Sequence, residues 1–202
     1  MPLPVWAWGS VARDREHTGT WHFYVEDKRF SAVLDDPTRV LASGCVGCCE
    51  PNVSAYDDTP LAMVLHGIYR KRRAARIWQT AGVRVLVDVN LPARVLEREE
   101  WRTGVPDGWR AFSTRGYDRR LLALEDEHAA ACRVAHSDKP LLVVIGGGKL
   151  VAEWCRGRAG VVHSGYAAER NVYSAQHKAQ GSTHTIPPAL ATLPDKERGG
   201  KP

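Results

Sequence analysis

Thr59-Pro60-Leu61-Ala62-Met63-Val64-Leu65-His66-Gly67-Ile68-Tyr69-Arg70-Lys71-Arg72-Arg73-Ala74-Ala75-Arg76-Ile77-Trp78-Gln79-Thr80-Ala81-Gly82-Val83-Arg84-Val85-Leu86-Val87-Asp88-Val89 is the stretch whose reading decides the fold. Thr59 suits an N-cap and Pro60 the first helical position, and Asp57 and Asp58 just before them complement the positive end of a helix dipole. Leu61, Val64, Leu65, Ile68, Ala75 and Trp78 recur at helical spacing as one apolar stripe, and Gly82 supplies a C-cap. Val83, Val85, Val87 and Val89 then alternate with Arg84, Leu86 and Asp88, which is the period of a strand. A helix that turns through a glycine into a β-branched strand is one step of a parallel sheet with crossover helices.

The same alternation recurs on both sides. Residues 20–25 (TWHFYV) read as a strand and 28–41 as a helix that Pro37 breaks in two, with 44–49 as a second strand. After a less regular segment containing Trp101, Gly104 and Pro106, a strand over 109–113 leads into a helix over 118–135 with Asp118 as N-cap. Residues 141–145 form an apolar, β-branched run that ends in Gly146-Gly147-Gly148. A helix over 149–156 and a short strand over 161–163 follow. About six β-α units result, so the expected fold is a single α/β domain over 1–164 with a mainly parallel sheet. It is either an incomplete β/α barrel or an open doubly wound sheet, since six strands cannot close an eight-stranded barrel and periodicity does not give strand order. From Ser164 onward no apolar period is sustained, and 165–202 is expected to be a mobile polar tail.

With 202 residues, 44% of them hydrophobic and 25% charged, the chain is not disordered throughout. No apolar run approaches the roughly 18 residues of a membrane span, and Met-Pro-Leu-Pro-Val-Trp lacks the order of a signal peptide. A soluble, cytoplasmic protein without a membrane partner is the expectation. The net charge is +5, but Arg70, Lys71, Arg72, Arg73 and Arg76 supply five positive charges in one short stretch. Any electrostatic partner should therefore meet that local cluster rather than a basic coat. Five cysteines, three of them in Cys45-Val46-Gly47-Cys48-Cys49, lack the regular spacing of a disulfide framework, and Cys132 and Cys155 are isolated on helices. Reduced thiols packed as small apolar side chains are expected, with no metal site assigned.

Ligands of parallel α/β folds gather beyond the strand carboxyl ends. Glu26, Asp27, Glu50, Asn52, Asp57, Asp58, Asp88, Asn90, Thr114, Arg115 and Gly146 to Lys149 occupy those places. Asp27, Asp57 and Asp58 also suit helix capping. Asp88 points opposite to the valines around it, and a charge at the end of a buried strand needs a partner or a ligand. Asn90 shares its face. Gly146-Gly147-Gly148-Lys149 lets backbone approach an anion at a helix N-terminus, although it matches neither the Walker nor the dinucleotide spacing and also reads as a tight turn. Arg70, Lys71, Arg72, Arg73 and Arg76 could grip phosphates or simply face solvent. No G-x-S-x-G is present, and His22, His66, His128, His136 and His163 have no metal spacing. Carboxylates converging with Asn90 would be ligands of the kind magnesium takes, although no spacing demands the ion.

Several stretches together resemble a known family. They are Val5-Trp6-Ala7-Trp8-Gly9-Ser10, the run from Gly19 to Asp27, the run from Glu50 to Pro60, Asp88-Val89-Asn90, the run from Thr114 to Arg120, and Gly146 to Lys149. In these the chain resembles the bacterial and phage family known as domain of unknown function 4417, over most of residues 5–163. The resemblance implies an intracellular protein often carried by phages and other mobile elements, and no activity to transfer. Where relatives have a Gly-Thr-Asn-Gly-like run this chain has Ser113-Thr114-Arg115-Gly116, and the Cys48-Cys49 pair is peculiar to it.

Two readings follow. The first is an enzyme or binding domain that takes a phosphorylated or nucleotide-like anion. Gly146 to Lys149 would hold the anion, with Thr114 near it and Arg115 as a clamp. Asp88, Asn90, Asp57 or Asp27 would supply a base, a hydroxyl contact or a metal ligand. The second is a DNA- or RNA-associated accessory protein of a mobile element that acts through Arg70 to Arg76. A protein-interaction module has no positive feature in the sequence, and neither the reaction nor the oligomeric state can be read from it.

Overall fold

The computed structural model describes residues 5–9 and 19–165. Seven strands alternate with helices along the chain: β1 (Val5–Ala7), β2 (Thr20–His22), a 3-10 turn (Asp27–Arg29), α1 (Ser31–Asp35), α2 (Thr38–Leu41), β3 (Gly47–Cys49), α3 (Leu61–Thr80) and β4 (Arg84–Asp88). Next come α4 (Ala93–Leu96), a second 3-10 turn (Glu99–Arg102), β5 (Ala111–Arg115), α5 (Leu121–Ala135), β6 (Leu141–Ile145), α6 (Lys149–Arg156) and β7 (Val161–Ser164). All neighbouring strands are parallel and their spatial order is the chain order, β1 through β7. A doubly wound sheet needs a reversal of strand order at a switch point. None occurs, and the sheet curls into a half-barrel.

Strand parity sorts the side chains. On the convex face Trp6, Trp21, Cys48 and Val85 pack with Val33, Leu34, Ala74 and Trp78, and farther along Val87, Phe112, Leu142 and Val144 pack with Ile68, Leu124, Ala131 and Val151. The concave face joins Val5, Tyr24, Cys49, Leu86, Val143 and Ile145. Pro37, which does break the helix into α1 and α2, also gives its carbonyl to the Trp78 indole at 2.8 Å. Trp78 stacks on Phe23 with ring centroids 5.7 Å apart, so this aromatic pair locks α3 onto β2. Cys45, Cys48, Cys49 and Cys155 are buried thiols, as expected of small apolar fillers.

The structure departs from the sequence expectation in local ways. The described residues hold seven strands rather than about six, because the three-residue β1 is too short to show a period. Helix α3 begins after Pro60, and the Thr59 hydroxyl accepts the Tyr56 N–H at 2.9 Å instead of capping the helix. Asp118 does not cap α5, which starts at Leu121; its Oδ1 accepts the N–H groups of Gly148 at 2.8 Å and Val151 at 3.2 Å, at the start of α6. No helix among the described residues is long and apolar enough to cross a membrane. The tail expected over 165–202 lies outside the described residues, apart from Gly165.

Candidate functional site at the strand carboxyl ends

The register of β4 creates the first feature. Its first half pairs with β3 and its second half with β5, so beyond Cys49 the β3 side of β4 lacks a strand. Side chains fill that gap. The Glu50 carboxylate accepts the Asp88 N–H at 3.0 Å, where a β3 carbonyl would otherwise sit, and it pairs with the Arg72 guanidinium. Lys71 reaches from α3 to both the Asp88 carboxylate at 2.8 Å and the Asp88 carbonyl at 3.1 Å.

Asp88 is closed to solvent. Its Oδ1 accepts from the Tyr24 hydroxyl at 2.9 Å and the Asn90 N–H at 3.1 Å, and Ser113 Oγ lies 3.0 Å from the same hydroxyl. Burial, reinforced by the Asp88 charge, pushes the Tyr24 phenol well above its ordinary value, which keeps it a donor. Burial lowers the Arg72 guanidinium to about 10, against the Asp88 charge that favours its protonated form. Asn90 donates in turn to the Asn52 side-chain oxygen at 2.8 Å. This network fixes the loops that leave β3 and β4.

The segment after β2, the loop after β3 and the end of β5 wall an open cleft of about 540 Å³ lined by Val25, Glu26, Asp27, Arg29, Ser54, Tyr56 and Arg115. Both Asp27 oxygens are engaged by Ser54, through its N–H at 3.0 Å and its hydroxyl at 2.8 Å, which ties the turn after β2 to the loop after β3. Glu26 forms an ion pair with Lys28 at 2.7 Å, and this partner holds its carboxyl below the ordinary range. Neither Arg29 nor Arg115 has a carboxylate within ion-pair distance among the described residues. The Arg115 guanidinium lies 4.7 Å over the Tyr117 ring, and its Nε has no hydrogen-bond partner among the described residues.

Of the residues singled out in sequence, Glu26, Asp27 and Arg115 line this cleft, and Asp88 and Asn90 belong to the network that fixes the neighbouring loops. Asp57 is exposed and its carbonyl accepts Arg94 Nε at 2.8 Å, away from Asp88. Among the described residues no group of three or more His, Cys, Asp or Glu side chains is placed to hold a metal ion. Thr114 shares the convex face with Phe112 and donates to Glu127 of α5 at 2.6 Å, so it does not line the cleft. At Gly146 to Lys149 the Gly148 amide is turned to Asp118, as is that of Val151 just beyond, the Gly146 amide donates to the Ser164 carbonyl, and Lys149 is exposed beside Glu153 at 3.9 Å.

The basic run divides the same way. Lys71 and Arg72 are buried in ion pairs rather than set on a surface stripe, Arg70 pairs with Asp35 at 2.7 Å, and Arg73 and Arg76 are exposed. Sequence reasoning missed this burial although a signal was present: Lys71 lies on the helical repeat Val64, Ile68, Lys71, Ala75, Trp78. A lysine inside an apolar stripe needs a buried anion, and Asp88 was the one on offer. Tyr24, Ser113, Arg29 and Ser54 were also missed, because only the curl of the sheet brings them to these places.

The family described as Domain of unknown function (DUF4417) matches residues 3–129. The Gene 1 protein of Mycobacterium phage D29 is 34% identical over 92 residues, 43% of this chain and 34% of the phage protein. The Gene 1 protein of Mycobacterium phage L5 is 28% identical over 92 residues, 43% of this chain and 40% of the phage protein. The chain thus spans well under half the length of these curated relatives. No solved structure matches it. The family match runs from β1 into α5 and encloses Tyr24, Glu50, Lys71, Asp88 and every residue of the cleft, while the glycine loop at 146–148 lies beyond it, and on this match the chain belongs to the DUF4417 family.

Proposed function

We propose that this domain binds a small anionic ligand, phosphorylated or nucleotide-like, in the cleft at the carboxyl ends of β2, β3 and β5. The observation that carries the reading is the pair Arg29 and Arg115. Two guanidiniums line one cleft and neither forms an ion pair among the described residues, while the two carboxylates of the same lining are engaged elsewhere, Glu26 with Lys28 and Asp27 with Ser54. Guanidinium forks suit phosphate and carboxylate oxygens. A volume of about 540 Å³ falls in the range of small-molecule sites, and the position is where parallel sheets hold their ligands. Asp27 and Ser54 add polar atoms to the same lining. Asp88, through Asn90 and its bond to Asn52, holds the loop after β3 that carries Ser54 and Tyr56. The glycine loop is the weaker anion seat because a ligand there must displace Asp118.

Isothermal titration of the full chain with nucleotides, sugar phosphates and inorganic phosphate tests the reading. Binding that persists at moderate salt and falls at least tenfold in Arg115→Gln and Arg29→Gln is the expected result. Equal affinity in wild type and both variants would overturn it.

A second reading rests on a separate observation. Exposed Arg73 and Arg76 line, with Tyr69, Leu65 and Val105, a groove of about 860 Å³ between α3 and residues 100–106. Through that groove the domain would contact DNA or RNA as an accessory protein of a phage or mobile element. The phage relatives agree with that setting. Affinity for duplex or single-stranded DNA that drops steeply with salt and is lost in Arg73→Gln/Arg76→Gln would support it.

A further inference from the structure

The loop between β3 and α3 is pinned from several directions. Ser54 is bound to Asp27 through its N–H and its hydroxyl, at 3.0 and 2.8 Å. Tyr56 and Thr59 exchange a backbone bond at 3.0 Å and a side-chain bond at 2.9 Å. Arg94 donates to the Asp57 carbonyl at 2.8 Å and to the Thr59 carbonyl. A loop held this firmly nevertheless leaves its largest side chain in water: Tyr56 is 68% exposed, and it lines the cleft that holds Arg29 and Arg115. Burying an aromatic ring is favourable, so a pinned loop that keeps one exposed on the lining of a cleft beside two guanidiniums is arranged for a flat, apolar group to be laid on it. Arg115 is prepared in a similar way, since stacking on Tyr117 reduces the freedom its guanidinium loses on binding.

Resting on the anion reading above, we propose that the ligand is a nucleoside phosphate, with its base stacked on Tyr56 and its phosphate held by Arg29 and Arg115. The sugar then lies between them, along the lining that Asp27 and Ser54 share. An aromatic face accepts any base, so the site selects nucleoside phosphates as a class over sugar phosphates without choosing among the bases.

Isothermal titration of the full chain with adenosine and thymidine monophosphates, ribose 5-phosphate and inorganic phosphate separates the two levels of the argument. Both nucleotides should bind about tenfold or more tightly than ribose 5-phosphate. Tyr56→Ala should erase that preference while leaving ribose 5-phosphate unchanged, and Tyr56→Phe should keep it. Equal binding of nucleotide and sugar phosphate, or a preference that survives Tyr56→Ala, overturns the nucleotide assignment and leaves the anion site standing. Absence of binding by all four compounds overturns both.

Discussion

The Lys71 ammonium sits 2.8 Å from the Asp88 carboxylate, and both side chains are almost wholly closed to solvent, at 1% and 0% exposure. The lysine comes from the helix layer and the aspartate from the concave face of β4, so the pair crosses the sheet where β3 has ended. A buried pair of this kind stabilises little in total compared with apolar packing, but breaking it is expensive, because the remaining charge has no water to return to.

Lys71→Met or Asp88→Asn alone should therefore lower the unfolding free energy by about 3–5 kcal/mol. Lys71→Met combined with Asp88→Asn should cost much less than the sum of the two single changes. Urea unfolding of the four proteins as a double-mutant cycle measures the coupling. Additive losses would mean that the ion pair does not hold the gap.

Arg72→Gln should destabilise by a similar amount, because it strands Glu50, which in turn receives the Asp88 N–H. Arg73→Gln/Arg76→Gln should leave stability within about 0.5 kcal/mol, as expected for exposed positions. Thermal melts of these variants decide which of them are fit for DNA-binding assays. A variant carrying Arg72→Gln would report lost folding rather than lost contact.

Asp118→Ala should cost about 1 kcal/mol by removing the acceptor of two amides at the start of α6. The same change vacates an anion seat. Phosphate should then raise the melting temperature of the variant more than that of the wild type, which differential scanning fluorimetry across phosphate concentrations would show. Gly148→Ala should resemble it, since a methyl group there collides with the Asp118 carboxylate.

Glu127 governs an acid-range prediction. Burial pushes its carboxyl well above the unfolded value of 4.5, opposed by the Thr114 hydroxyl that donates to it and reinforced by the Asp88 charge. A group whose folded pKa is raised contributes stability that is fully present below its unfolded pKa and is lost as pH rises toward the folded one. Glu127→Gln keeps the acceptor for Thr114 and removes the titration. The variant should gain on the wild type progressively from pH 5 upward, with the gap read as a difference in melting temperature across pH 5 to 8. A constant gap would show that Glu127 does not titrate in this range.

The run from Leu61 to Asp88 was legible because it is long: α3 repeats its apolar stripe over five turns, and β4 alternates over a full strand. Short elements were not. Strand β1 has only three residues, and the exact starts of α3 and α5 depended on whether Thr59 and Asp118 would cap their own helices or bond elsewhere. Those choices are contests between nearly equal hydrogen bonds, and distant groups settle them.

Composition and period were enough to determine an α/β chain with a parallel sheet, the break at Pro37 and the inward face of Asp88, since each follows from local sterics and from which side chains avoid water. Tertiary structure alone decided that the strands run in chain order around a half-barrel. It also decided that two charges of the basic run turn inward to Asp88 and Glu50, that Asp118 occupies the glycine loop, and that Arg29, Arg115 and Tyr56 share a cleft. Each of these depends on contacts between residues tens of positions apart, and periodicity along one segment carries no information about which distant group will stand opposite it.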